Sequence, residues 1–483
     1  LLHRTDRSDP SGQVPKGVKL ADRAIIRYPI GLQGIKLANA ERPTMATHSE
    51  ILDLINATSF VDAHEHLWEE RTRLAALVEP DKHPIPNDLG ILFYHYADSD
   101  LVSAGLSPDD RTKMVDPLTD VKDKWKLIGP IYARTRHTGY LQNVRESLRL
   151  MFGEEDITDD NYQRISDLIR DQIAPGYFSR LLRDVSKIEH AQVNSFEDPV
   201  FNETQYPDLL CQDLSFVGLS TALNVEPYAK RANREVGSLD DWHGIIDWVF
   251  ETYGPRAIAI KNQSAYGRRL DYDDVDAKDA APLFARHIRE PKGSAEFEKK
   301  AIQDHLFHYC IRKSVEYNLP VKLHTGYYAG TGGMPLHRVS TNDGDLCPVL
   351  KAHPDAKFII MHISYPYQDE AIALAKHYPN AYVDMCWAWI INPLASVRFT
   401  KEYLMAAPHT KLLTFGGDYL PVEMVPGHAA IARKGLAQAI SELVSDGWVR
   451  DSEVPELVDR IMRGNAHDVF DYDGTLSAWS VPA

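Results

Sequence analysis

The sequence predicts an α/β fold, a distorted (β/α)8 TIM barrel with a helical insertion after its first strand. Three observations predict it. Eight short apolar runs read as strands, at 59–63, 187–193, 209–216, 256–261, 320–324, 357–362, 381–384 and 411–415. Helical apolar spacing fills the gaps between the later runs, at 239–253, 297–317, 343–353, 367–377, 394–406 and 425–445. Several runs finish in a reactive side chain, and strand C-termini are where a parallel barrel builds its site. Strands that alternate with helices imply a parallel sheet, and eight such units imply closure.

The bulk numbers fit one barrel. The chain has 483 residues, of which 44% are hydrophobic and 25% charged, as in ordinary soluble globular proteins. A net charge of −16 argues against nucleic acid or an anionic membrane as partner. It favours a small-molecule substrate and leaves a homo-oligomer open. Cys211, Cys310, Cys347 and Cys386 have no Cys-x-x-Cys spacing and read as buried or incidental thiols in a reducing compartment. No apolar run approaches a membrane span and the first residues hold no signal-peptide core, so the expected location is cytoplasmic.

Residues 1–44 carry Pro, Gly and scattered basic residues and read as an N-terminal extension, with Met45 as the expected natural start. A helix from about 49, capped by Thr47 or Ser49, leads into the first strand. Residues 69–180 read as the insertion, with helices at 109–127, 139–152 and 160–173, the last from an Asp-rich cap. The barrel is expected to run to 472, with a closing helix at 455–470 and a loose tail at 473–483. There is no internal repeat.

The strand ends carry the chemistry. In Phe60-Val61-Asp62-Ala63-His64-Glu65-His66, strand alternation puts His64 and His66 on one side. Two such imidazoles can grip a divalent metal; zinc suits them first, with manganese, iron or nickel as alternatives. Later runs finish in Lys261, His324, His362 and, after Gly416-Gly417, Asp418. Each has a plain alternative: a salt-bridged lysine, a polar strand cap, an N-cap aspartate. Five strand ends sharing the property argue for one converging site.

The order His-x-His, Lys, His, His, Asp resembles the amidohydrolase superfamily of metal-dependent barrels. Ala259-Ile260-Lys261-Asn262-Gln263-Ser264-Ala265-Tyr266-Gly267-Arg268, Lys322-Leu323-His324-Thr325-Gly326, Met361-His362-Ile363-Ser364-Tyr365-Pro366-Tyr367 and Arg463-Gly464-Asn465-Ala466-His467 resemble its amidohydrolase-2 (amidohydrolase-related) group. Within it the chain looks closest to the nodulin-like amidohydrolase domain sometimes fused to glutamine synthetase. The resemblance implies two ligand sets. With one ion, His64, His66, His324 and Asp418 are ligands and His362 handles substrate or protons. With two ions, a carboxylated Lys261 bridges them and His324 and His362 hold the second. The one-ion set is the preferred expectation. Asp418 and His362 are the expected catalytic groups.

Loops after the strands offer substrate contacts. Tyr365, Tyr367, Trp387 and Trp389 suit a ring or sugar. Arg134, Arg136 and Arg268 are candidate carboxylate anchors. The expected activity is a metal-dependent hydrolase that uses activated water on a C–N or ester bond of a small compound, a carboxylated one being a candidate. The alternatives are a non-oxidative decarboxylase, a uronate-type aldose–ketose isomerase and a non-catalytic barrel.

Overall fold

The structure is a computed structural model. The chain divides into Leu1–Thr44 and Met45–Ala483, and residues 47–480 are described; the expected extension at 1–44 lies outside the described residues. Eight strands run in chain order around one parallel sheet: β1 (Phe60–Glu65), β2 (Ile188–Val193), β3 (Leu210–Ser215), β4 (Ala259–Asn262), β5 (Val321–Leu323), β6 (Phe358–Ile360), β7 (Ala381–Asp384) and β8 (Leu412–Leu413). Each pairs in parallel with the next. The chain beyond β8 returns to β1 through backbone hydrogen bonds. Ala63 N donates to Phe415 O (2.9 Å), Asp418 N to His64 O (3.0 Å) and His66 N to Tyr419 O (3.0 Å).

That seam explains Gly416-Gly417. A Cβ on Gly417 would fall 1.9 Å from Glu65 Oε1, and one on Gly416 would fall 2.7 Å from the Cys386 Cβ. Side chains at these positions would wedge the seam open.

The six helices expected between and after the later strands are present as Leu239–Tyr253, Glu296–Glu316, Asn342–Ala352, Gln368–His377, Pro393–Ala406 and Val425–Ser445, and Val225–Ala232 and Ala277–Arg289 add to them unexpected. The first helix, His48–Ala57, is capped by Thr47 in a reciprocal box with Glu50, a device worth about 1 kcal/mol.

Two expectations change. The helix at 109–127 is two helices, Pro108–Val115 and Val121–Thr135, because Ser107 and Asp120 each cap a new start. The tail at 473–483 is not loose through its described part. Tyr472–Trp479 is helical, Trp479 Nε1 donates to Arg256 O (2.9 Å), and the Arg256 guanidinium lies 5.1 Å from the Trp479 ring. An indole that finds both an acceptor and a cation anchors a short helix that propensity alone would leave frayed.

Seven α-helices, from Glu70–Val78 to Tyr177–Ser179, with a 3-10 helix (Leu89–Phe93) and a π-helical segment (Arg180–Val185), separate β1 from β2. Within this insertion Gly139–Phe152 packs on Val425–Ser445, where Gly427 leaves room for Asn143. Asn143 Nδ2 donates to the Tyr419 hydroxyl (2.8 Å), one residue from Asp418. The insertion is thereby tied to the seam of the barrel.

Candidate metal centre

The strand ends bring the expected histidines into one buried cluster with two limbs. The first limb belongs to β1. His64 Nε2 lies 3.4 Å from His66 Nε2, and Asp418 Oδ1 lies 3.2 Å and 3.3 Å from those two nitrogens. Asp418 holds a left-handed backbone, φ +61°, a conformation that L residues other than Asn and Asp seldom adopt. Its amide is tied to His64 O, and the Tyr96 hydroxyl reaches both its backbone oxygen (2.6 Å) and its Oδ2. The next helical turn begins at Val422 with Pro421 at its cap, so Asp418 is not an N-cap.

The second limb belongs to β5 and β6. His324 Nδ1 faces His362 Nε2 at 2.9 Å. His362, Ile363 and Ser364 are three consecutive left-handed residues (φ 61°, 48° and 51°). This kink turns His362 off the strand direction and over the barrel mouth. Gly326, at φ +73°, passes so close that a Cβ there would lie 2.6 Å from Ser364 C.

Hydrogen bonding fixes which nitrogen faces inward in three of the four rings. His66 Nδ1 lies 2.7 Å from Asn194 O, His362 Nδ1 lies 3.1 Å from Cys386 O, and His324 Nε2 lies 2.9 Å from Tyr327 O. A carbonyl accepts only, so these nitrogens carry the protons. His64 Nδ1 faces Asp213 Oδ2 at 3.5 Å, and Lys322 Nζ holds that carboxylate at 2.7 Å and 2.9 Å. In neutral rings the opposite nitrogens then present lone pairs inward. Burial is the largest cause that drives all four imidazoles toward the neutral form, and the Lys261 charge adds to it in each. Four inward lone pairs and a carboxylate oxygen form a cradle with the donor chemistry for a cation.

Those donors fit a metal ion. A tetrahedral ion with ligands near 2.1 Å spaces its donors by about 3.4 Å, close to the separations in the first limb. Among the described residues, two groups have the donor chemistry and spacing for an ion: His64, His66 and Asp418, and His362, Cys386 and Asp418. Asp418 is common to both. His324 faces His362 and belongs to neither group. Lys261 Nζ sits 3.3 Å from His64 Nε2 and 2.9 Å from Met361 Sδ, and burial lowers its pKa to about 8. Burial raises Asp418 to about 6, against the Lys261 charge and the Tyr96 hydrogen bond, which lower it.

The other expected residues divide. Trp387 is fully buried and meets His362 edge-on at 5.5 Å. Tyr365 lies at the edge, 5.9 Å from the Tyr327 ring. Tyr367 only precedes the helix Gln368–His377, and Trp389 is buried with Nε1 on Thr414 O (2.8 Å). The arginine expectations change. Arg268 pairs with Asp304 (2.5 Å) and covers the Tyr272 ring at 4.3 Å. Arg134 is exposed in the last turn of Val121–Thr135, and Arg136 pairs with Asp156 at 3.7 Å. None of the three faces the cluster.

Sequence reasoning missed Tyr96, Cys386, Asp213 and Lys322. For the last two a signal existed. A charged residue in the middle of an apolar strand, as in Val321-Lys322-Leu323, must face a buried partner. Tyr96 offered none, since it comes from the insertion.

A cavity of about 590 Å³ opens beside the cluster. Tyr266, Tyr327, Tyr328 and the glycine-rich 329–334 loop form one side, and Asp100 and Tyr140 of the insertion form the other. Tyr266 packs 4.6 Å from the His324 ring, and Tyr140 stacks on Tyr96 at 5.5 Å.

Comparison with known proteins agrees with this architecture. Residues 257–472 match the amidohydrolase family model, Amidohydro_2. Protein fluG of Emericella nidulans is 29% identical over 178 residues, which cover 35% of this chain and 20% of that protein; the chain thus matches about a fifth of its length. Three solved structures share the fold. Glucuronate isomerase from Caulobacter crescentus has a TM-score of 0.71 at 16% identity, covering 90% of this chain and 95% of its own. Uronate isomerase from Thermotoga maritima has 0.70 at 15%, covering 88% and 98%. A candidate metal-dependent hydrolase from Lactobacillus casei has 0.61 at 16%, covering 90% and 100%. Among the described residues no helix is long and apolar enough to cross a membrane.

Proposed function

We propose, from the premise that residues 257–472 are an amidohydrolase-family segment, that this chain is a metal-dependent hydrolase of a C–N or ester bond in a small molecule. The observation that carries the reading is the inward cradle: four imidazoles whose outer nitrogens face protein oxygens, closed by Asp418. A divalent ion, zinc in first place, would be held by His64, His66 and Asp418. When bound it supplies the charge that acidifies water and polarises a carbonyl.

The chain's own groups do the rest. Asp418, ionised at neutral pH with its pKa near 6, accepts a proton from the attacking water and returns it to the leaving nitrogen or oxygen. The Tyr96 hydroxyl on Oδ2 keeps Oδ1 turned to the reacting side. The His324–His362 pair, buried in a site walled by Trp387, turns two unprotonated nitrogens inward, where they can accept a proton from water or substrate. Trp387 and Tyr327 limit solvent entry on that flank.

A uronate-type isomerase is the second reading, favoured by the two isomerase structures with TM-scores of 0.70 and 0.71. Against it, a uronate brings a carboxylate, and no described lysine or arginine lines the cavity. The test is a panel of acyl amines, lactones, hydroxybenzoates and uronates incubated with protein purified without chelator and assayed for bound metal. Products that gain one water support the hydrolase. Carbon dioxide release, or a rearranged product of unchanged mass, overturns it.

A further inference from the structure

The cavity beside the metal cradle has an unusual charge inventory. Among the described residues that line it, Asp100 is charged and no lysine or arginine is present. The nearest guanidinium on its tyrosine wall, that of Arg338, is committed elsewhere. It donates to Tyr266 O (2.7 Å) and lies against the Tyr328 hydroxyl (3.1 Å). The arginines expected from sequence to anchor a carboxylate, Arg134 and Arg268, are exposed or paired away.

Asp100 itself is incompletely satisfied. Its Oδ2 is buried and makes no hydrogen bond among the described residues. Burial raises its pKa and the Thr138 side chain, hydrogen-bonded to the carboxylate, lowers it. Burial raises Tyr140 and Tyr327, and the Asp100 carboxylate adds to the shift in both, so it sits within electrostatic reach of both walls. Tyr140, Tyr266, Tyr327 and Tyr328 line the same space. Tyrosine rings attract cations through their quadrupole, and the Asp100 carboxylate on the same wall has no lysine or arginine among the described lining residues to offset it. Both features select the same ligand chemistry, and a carboxylated ligand would meet repulsion without compensation.

We infer that the substrate carries a cationic amine or amidine-type group, seated between Asp100 and the tyrosine rings while its scissile bond faces the cradle. This specificity rests on the hydrolase reading for its chemistry but not for its binding. Asp100 and Tyr140 come from the insertion between β1 and β2, so a segment outside the barrel sets the charge of the ligand.

The experiment uses three matched probes on the metal-loaded protein: N-benzoyl-1,4-diaminobutane, N-benzoylbutylamine and N-benzoyl-4-aminobutanoate. They share the acyl group and chain and end in a cation, a methyl group and a carboxylate. Binding is measured by calorimetry and turnover by benzoate release. The cation is expected to bind on the order of tenfold more tightly than the neutral probe, and the carboxylate more weakly than either. Asp100→Asn should bring the cation level with the neutral probe while leaving the affinity for the neutral probe unchanged. Tyr328→Leu, on the opposite wall, should weaken the cation in the same way and keeps the test open should Asp100→Asn fold poorly.

Equal or tighter binding of the carboxylate overturns the inference. So does a cation preference that survives both substitutions, or no binding of any probe at millimolar concentration. Cation-selective binding without benzoate release leaves the inference standing and counts against the hydrolase; release from the carboxylate probe in preference to the others does the reverse.

Discussion

The two limbs of the cradle are built from the same residue type by different means. In the first limb, His64 and His66 share a face at the end of β1 because side chains there repeat every second residue, even though the β1–β2 pairing carries register shifts. Their inward nitrogens stand 3.4 Å apart with Asp418 Oδ1 beside both. In the second limb, His324 extends β5 while His362 is turned inward by three left-handed residues. Its two nitrogens face each other at 2.9 Å with no carboxylate between them. The first limb has the composition and spacing of an ion's ligands with Asp418 alone; in the second, His362 reaches that spacing only with Cys386 and Asp418, and His324 does not. The difference teaches that a histidine count does not define a metal site; the donors that each histidine shares with Asp418 do.

The largest effects should separate the limbs. His64→Ala or Asp418→Ala is expected to lower bound metal together with activity, the latter by about 10²–10⁴-fold. His362→Ala should lower kcat by a similar factor while the protein keeps its ion. Elemental analysis beside initial rates reads both at once. If His362→Ala and His324→Ala each halve the metal content of a protein that holds two ions, the limbs are equivalent ligand sets and the contrast fails. Mass spectrometry of native protein for a carboxylated Lys261 sharpens the same point, because the two-ion arrangement requires it.

A smaller effect probes what steadies the first limb. Lys322 holds Asp213 at 2.7 Å and 2.9 Å, and Asp213 faces His64 Nδ1. Partners in this position set ring orientation and ligand basicity. Asp213→Asn is expected to weaken metal affinity by about 10–100-fold, measured by competition with a chelator. Unpairing Lys322 adds a cost in stability, so the affinity comparison should include Asp213→Asn with Lys322→Met, where no buried charge is left alone. Unchanged affinity in both variants would make the pair a folding element only.

How far the site could be read beforehand follows the same division. Strand alternation made His64 and His66 legible, and β/α alternation made all eight strands and the later helices legible, with ends displaced by a few residues. Strand ends also named Lys261, His324, His362 and Asp418. The kink at His362–Ser364 was not legible, since no glycine marks those left-handed positions. Neither was Tyr96, which reaches Asp418 across 322 residues of chain. The arginines misled because side-chain type was read without knowing the face: Arg268 had a buried aspartate, Asp304, waiting on a neighbouring helix. Local pattern reports local geometry; contacts between the insertion and the barrel seam depend on closure.

The smallest effect on turnover concerns the brace under the second limb. Asp343 Oδ1 accepts from Ser364 Oγ (2.8 Å), which lies 2.9 Å from Thr325 Oγ1, whose hydroxyl donates to Met361 O (2.6 Å). The chain joins the residue after His324 to the turn that carries His362. Burial raises the Asp343 pKa from 3.8 to about 7, although the Ser364 hydrogen bond lowers it. A carboxyl raised in the folded state contributes stability that is fully present below the unfolded value. That stability is lost as pH climbs through the folded value. Between pH ~4 and ~7 the unfolded chain releases a proton that the folded chain keeps, and each step of one in pH across that window removes about 1.4 kcal/mol. Asp343→Asn removes this dependence. Its stability relative to the parent should therefore rise by a few kcal/mol from pH ~4 to ~8, with turnover near the parent's, as measured by urea denaturation across that range. A relative stability that stays flat with pH would mean that Asp343 is already ionised in the folded protein. The second limb would then stand on a fixed charge, as the first does on Asp213, and the contrast between a charged and a neutral brace would be gone.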